Sequence, residues 1–234
     1  MRGNLLINKT HDIVLIVVSH TDDETLGMGG TIAKHVQSGD NVYAMSMTDG
    51  LSSRGSVSKK EINSRDVSSE QAAKILGFKW IRKGNFPDNQ IDKVPLIEII
   101  KFIEIVKDEI KPTIIYTHSA ADLNIDHQLV SKAVLTSFRP QKQEVWHEIR
   151  LFEIPSATDY GHKSITNTFF PNLYINIEET LKIKLEALKS YDSEIRAYPD
   201  SRSYLGIENL AKYRGNQVGL KFAESFEIIR KIIR

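Results

Sequence analysis

The sequence contains no cysteine. Disulfides and thiolate metal ligands are thereby excluded, and any metal must be held by His, Asp or Glu. An excess of charge is also missing. The 31 Lys and Arg and 30 Asp and Glu leave a net charge of +1, without the basic surface that nucleic acid or an anionic membrane attracts. A small molecule or glycan is the expected partner. No apolar run is long enough to span a bilayer, and Met1 to Lys9 holds no stretch of signal-peptide length, so a cytoplasmic location is expected. A glycine is missing at position 32: Gly27-x-Gly29 would need one there to complete a dinucleotide fingerprint, and the residue is Ile32. No repeat, low-complexity segment or linker divides the 234 residues. One domain over 1–234 is expected, with a core in 1–139 and a C-terminal part, 140–234, completing the pocket. Oligomeric state is left open, with a homo-oligomer possible.

What is there begins with Ile13-Val14-Leu15-Ile16-Val17-Val18, a β-branched run that reads as a buried strand. Ser19-His20-Thr21-Asp22-Asp23-Glu24 follows, and Thr31 to Val36 continues at helical spacing to Gly39, a C-cap. Strands are expected at Asn41 to Met47, Phe78 to Arg82 and Thr113 to Thr117, with helices at Lys59 to Leu76, Val94 to Ile110 and Asn124 to about Phe138. This alternation predicts an α/β, Rossmann-like three-layer fold with a mostly parallel central sheet. Beyond residue 148 the pattern changes. Ile149 to Ile154 and Leu173 to Ile177 read as strands, and Glu178 to Tyr191, Leu205 to Tyr213 and Lys221 to Ile233 as helices.

In such a sheet the turn after the first strand lies at the carboxyl edge, where ligands bind. His20 and Asp23, three positions apart, can reach one divalent ion across that turn, and their chemistry suits zinc. Asp22 points elsewhere and is free to accept a proton from water. The plainer reading is that Asp22, Asp23 and Glu24 cap a helix and favour its positive end. Asn124-Ile125-Asp126-His127 repeats the arrangement of strand, polar turn and helix start, which makes His127 the third ligand. His20, Asp23 and His127 would leave a fourth tetrahedral position for water or substrate. Asp126 would hold a polar partner or orient a ligand. Arg54 and Asp88 sit on loops expected at the same edge and are candidates for substrate binding. His118 is the reserve ligand, and His162 is a candidate for the pocket wall. His11, His35 and His147 read as surface or edge residues.

Taken together, these segments resemble the PIG-L/LmbE family of zinc-dependent N-deacetylases. The resemblance is carried by His20-Thr21-Asp22-Asp23-Glu24 with its glycines, Thr48-Asp49-Gly50 with Ser53-Arg54, Phe86-Pro87-Asp88-Asn89, Asp122 to His127, and Ala223-Glu224-Ser225-Phe226. It implies a Zn²⁺ cofactor and hydrolysis of an N-acetyl group from an N-acetylglucosamine-type sugar or conjugate. Position by position, His20, Asp23 and His127 match the family's ligands, Asp22 its general base and Arg54 a substrate-contacting arginine. Two departures stand out. Thr21 replaces a common proline, and Asn124 stands where some members carry a histidine that stabilises the oxyanion. An amide can donate to that oxyanion but cannot deliver a proton, so protonation of the leaving amine would fall to Asp22. Alternatives are a non-haem Fe(II) enzyme, which also uses two His and a carboxylate, and a metal-containing carbohydrate-binding protein without turnover.

Overall fold

The run Ile13–Val18 forms β1, buried beyond its first residue, near the middle of a seven-stranded sheet. The computed structural model describes residues 11–55, 58–164 and 168–233, without the side chains of Arg54 and Lys59. The other strands are β2 (Asn41–Thr48), β3 (Lys79–Phe86), β4 (Ile114–His118), β5 (Glu148–Phe152), β6 (Leu173–Asn176) and β7 (Ala223–Lys231). Their order is β3-β2-β1-β4-β5-β7-β6; β1 to β5 run parallel, and β7 is antiparallel to both of its neighbours.

Period-two geometry explains why β1 is apolar on both faces. Val14, Ile16 and Val18 join a core with α1 (Asp23–Gln37), α2 (Lys59–Leu76) and α5 (Leu181–Leu188). Leu15 and Val17 join the opposite core with α3 (Leu96–Ile110) and α4 (Ile125–Ser137). After α1 the chain moves outward to β2 and β3, then returns through α3 to β4 on the other side of β1. The carboxyl ends of β1 and β4 therefore flank the topological switch point, the ordinary ligand crevice of such sheets.

Local sequence fixes the flanking helices. Ser58 and Glu61 form a reciprocal capping box at the start of α2, and Gly77 ends it at φ 84°. Helix α1 is less regular. It breaks at Met28 (φ −147°, ψ 22°), and two buried side chains satisfy the backbone groups that the break releases. The Gly30 and Thr31 amides donate to the Glu224 carboxylate at 3.0 and 2.7 Å, while Lys184 Nζ donates to the Leu26 carbonyl at 2.8 Å and to Glu224 at 2.6 Å. Strand β7 and helix α5 thus hold the two halves of α1 together.

The first half of α1 lies close to β5. A Cβ at Gly27 would sit 2.6 Å from Phe152 Cδ2, so Gly27→Ala is expected to cost about 1–3 kcal/mol through overpacking. Urea denaturation checks this, and an unchanged midpoint would show that the Phe152 ring moves clear at no cost.

The expected α/β fold is present, with one element of the wrong type. Lys221 to Ile233 was expected as a helix because Phe222, Phe226, Ile229 and Ile233 follow helical spacing; the structure places strand β7 at Ala223–Lys231. Pairing to β5 and β6, with burial of all of Ala223 to Phe226, overrides that local pattern. Boundaries shift elsewhere: β3 continues to Phe86, α3 begins only after Pro95, and the helix expected over 178–191 becomes α5 and a 3-10 turn, Lys189–Glu194. Among the described residues, no helix is long and apolar enough to cross a membrane.

Candidate active site

At the carboxyl end of β1 the chain turns through Ser19 to Asp22 into α1. Asp22 adopts φ 153° and ψ −27°, a conformation that L residues rarely adopt and that proteins keep mainly at functional sites. Several contacts hold it there. Its amide donates to Glu24 Oε2 at 3.0 Å, and its carbonyl accepts from the Thr25 and Leu26 amides at 3.1 and 2.9 Å. Arg65, on α2, donates to the Thr21 carbonyl (2.8 Å), Thr21 Oγ1 (3.1 Å) and Asp22 Oδ1 (3.2 Å). Gly50, at φ 67°, leaves the space Arg65 crosses, since a Cβ there would lie 2.7 Å from Arg65 Nε.

The turn brings Asp23 against two histidines. His20 Nδ1 lies 3.2 Å from Asp23 Oδ2, His127 Nε2 lies 3.4 Å from the same oxygen, and the two nitrogens are 3.3 Å apart. A tetrahedral zinc with bonds of about 2.0–2.1 Å separates its ligand atoms by about 3.3–3.4 Å. The three atoms therefore already stand at the spacing a zinc ion requires, and two histidines with one carboxylate are a suitable donor set.

Carboxylates stand behind both rings. His20 Nε2 faces Asp88 Oδ1 at 3.1 Å and Asp126 Oδ2 at 3.3 Å, and His127 Nδ1 faces Asp122 Oδ2 at 3.0 Å. Such partners fix the orientation of a ligating imidazole and raise its basicity. Burial alone would lower His20, but Asp126, Asp23 and Asp88 raise it well above its ordinary range. For His127, burial is outweighed by Asp23 and Asp122, which bring it to about 9. Asp23 is raised by burial yet held well below the usual carboxylate range by His127, His118 and His20. Asp88 is likewise buried, and His20 and Ser53 bring it down to about 2. The site is built to hold positive charge, and a divalent ion would take the place of imidazole protons.

Asp22 stands outside this triangle. It is 3 % exposed, and burial raises its carboxyl above the ordinary value although Arg65 and Arg202 oppose the shift. Asp22, Arg65, Arg202 and Glu194 share a chamber of about 110 Å³ with His20, Asp23 and His127. A larger cavity of about 420 Å³ touches Lys111, Pro112 and Trp146. Those residues precede β4 and β5, so that cavity opens at the amino edge, away from this chemistry.

The expected residues have different surroundings. His20, Asp22, Asp23, Asp88, Asn124 and His127 all line the chamber. Asp126 is buried behind it, accepting from the Asn89 and Ile91 amides at 2.7 and 3.1 Å as well as facing His20, which makes it an orienting group. Asn124 caps α4 through Oδ1, accepting from the Asp126 amide, and its Nδ2 donates to Asn89 Oδ1 at 3.0 Å. Asp88 is engaged by Ser53 as well as His20. Arg54 ends a short 3-10 turn, and its side chain lies outside the described residues. His162 is exposed and does not line the chamber. His118 stacks flat on His127, with ring centroids 3.9 Å apart, and its Nε2 accepts the Ser19 amide at 2.9 Å. Burial and the neighbouring His127 lower it well below the usual imidazole range, so it supports the His127 ring as a neutral group. Arg65, Arg202, Glu194 and Asp122 carry no local sequence signal, because their roles depend on contacts across the fold.

Similarity to known proteins follows the same segments. A family model described as PIG-L, GlcNAc-PI de-N-acetylase, matches residues 15–138. An uncharacterized deacetylase of Escherichia coli, YaiS, is 29% identical over 186 residues, covering 77% of this chain and 90% of the relative. Diacetylchitobiose deacetylase of Thermococcus kodakarensis is 27% identical over 234 residues, covering 92% of this chain and 82% of the relative. The solved structure of N,N'-diacetylchitobiose deacetylase from Pyrococcus horikoshii, in complex with its inhibitor MPG, matches with a TM-score of 0.73 at 23% identity; the match covers 95% of this chain and 85% of that one.

Proposed function

The chain belongs to the PIG-L family, and on that premise we propose that it removes the acetyl group from an N-acetylglucosamine-type sugar or sugar conjugate by zinc-dependent hydrolysis. The observation that carries this reading is the triangle of His20 Nδ1, Asp23 Oδ2 and His127 Nε2, with sides of 3.2 to 3.4 Å, beside a buried carboxylate that is not part of it. Zinc held by these three residues would polarise the acyl carbonyl and make water acidic near neutral pH. Asp22 accepts the proton of the attacking water, and its raised pKa suits a base that must later return that proton. The proton then passes to the leaving nitrogen, giving acetate and a free amine. Arg65 holds Asp22 through Oδ1, while Asp88, Asp126 and Asp122 hold the two imidazoles. Asn124 Nδ2, at the chamber wall, is the amide donor for the acyl oxygen. Arg54 is assigned to the substrate, as the family resemblance implies, and the enzyme is placed in the cytoplasm.

Acetate release from a panel of N-acetylglucosamine derivatives tests this reading, measured on protein as purified, after chelation and after zinc is restored. Release that disappears with chelation and returns with zinc is the expected result. Absence of release from every member, with one zinc bound per chain, would sink it. Activity requiring iron and oxygen would instead identify a non-haem Fe(II) enzyme.

A further inference from the structure

Two guanidinium groups face Asp22, and they differ in what holds them. Arg65 is fully engaged: besides Thr21 and Asp22 Oδ1, its Nη1 donates to Glu194 Oε1 at 2.8 Å. Arg202, from the segment between Glu194 and α6 (Tyr204–Asn216), is held by much less. Its Nε is buried without a hydrogen-bond partner, and its ionic contact is Nη1 to Asp22 Oδ2 at 3.7 Å. The side chain is only 16 % exposed. A buried N–H left without an acceptor destabilises a fold, so the Arg202 Nε calls for an acceptor brought by a ligand. The chamber of about 110 Å³ is lined by Arg202 together with His20, Asp23 and His127. An acyl group seated there lies within reach of Arg202 and of the His20–Asp23–His127 triangle together.

Resting on the N-deacetylase reading, we propose that Arg202 is a catalytic residue, donating to the acyl oxygen as that oxygen becomes negative. Arg65 occupies Asp22 Oδ1, which leaves Oδ2 to take the proton. As the water O–H bond breaks, the water oxygen bonds to the acyl carbon, the carbonyl π pair moves onto the acyl oxygen, and Asp22 becomes neutral. Arg202 loses its anionic partner at Oδ2 in the same step that creates a negative oxygen nearby. Its interaction is therefore stronger in the transition state than with bound substrate, which is the condition for raising kcat. Collapse restores the C=O bond and breaks the C–N bond, and the proton on Asp22 passes to the leaving nitrogen.

The test uses zinc-loaded enzyme and an uncharged N-acetylglucosamine disaccharide. Arg202→Gln is expected to lower kcat about 10²-fold, the usual loss for one oxyanion donor, with KM within about threefold and part of the rate recovered in Arg202→Lys. A raised KM at unchanged kcat would overturn the proposal by assigning Arg202 to sugar binding. A kcat loss that only parallels a lower melting temperature, with no recovery in Arg202→Lys, would also overturn it. Acetate titration, followed by thermal shift on the zinc-loaded protein, reads the same contact without turnover. Arg202→Gln is expected to weaken acetate at least tenfold, and equal affinity would overturn the proposal. Failure of the wild type to release acetate counts against the deacetylase reading, whereas the titration still decides whether Arg202 binds an acyl oxygen pair.

Discussion

Asp22→Asn is expected to reduce acetate release by about 10²–10⁴-fold, the range lost when a positioned general base is removed. The substitution keeps size and shape but removes the chamber carboxylate that lies between Arg65 and Arg202. Asp22 stands outside the His20–Asp23–His127 triangle, so the variant should still bind one zinc per chain. It should also fold, because the Asp22 amide and carbonyl make their own contacts with Glu24, Thr25 and Leu26. The decisive comparison is kcat alongside zinc content for wild type and variant. Turnover within a fewfold of wild type at full zinc would move the base elsewhere. Glu24 would be the next candidate on protonation alone, since burial raises it to about 7. Its oxygens, however, are engaged by the Asp22 amide, Thr25 and Tyr191.

The largest expected effect on stability lies away from the metal triangle. Lys184→Met should cost about 3–5 kcal/mol, the usual consequence of removing one partner from a buried ion pair. Both side chains are 5 % exposed, so Glu224 would be left as a buried anion with only the Gly30 and Thr31 amides to hold it. The Leu26 carbonyl would lose its donor in the same variant. Glu224→Gln should be comparably harmful, because it strands the Lys184 ammonium. Urea denaturation of both single variants and of the pair gives the coupling directly. The double variant is expected to lose less than the sum of the two, and strict additivity with losses under 1 kcal/mol would show that the pair does not hold the kink.

How much of this could be read from the chain divides along contact distance. Strand β1 and the turn that brings His20 to Asp23 are legible, because a β-branched run and a His and Asp three positions apart are local patterns. His127 was legible as well, since Asn124 caps α4 within four residues of it. Arg65 gave no sign: on α2 it is one more basic residue of a polar helix, and only packing against the Thr21 turn gives it a role. Arg202 follows a polar stretch with no period at all. Glu224 stands out only within the family resemblance, and the local spacing around it reads as a helix rather than the strand it forms. Its function depends on amides 193 and 194 positions earlier, a separation at which neither periodicity nor spacing carries information.

That separation also sets an order of events for a chain made from its amino end. Helix α1 is synthesised early, but the carboxylate that seals its break arrives with β7, the last element in chain order. A nascent chain ending near residue 139 already carries His20, Asp23 and His127, yet it has neither Lys184 nor Glu224. It possesses the three side chains without the brace that holds the helix behind them. Contacts so remote in sequence form slowly, so the completed triangle should mark a polypeptide whose synthesis has passed β7. The broken helix makes the arrangement of His20, Asp23 and His127 a late product of folding, because its brace lies 193 and 194 positions after the amides it holds.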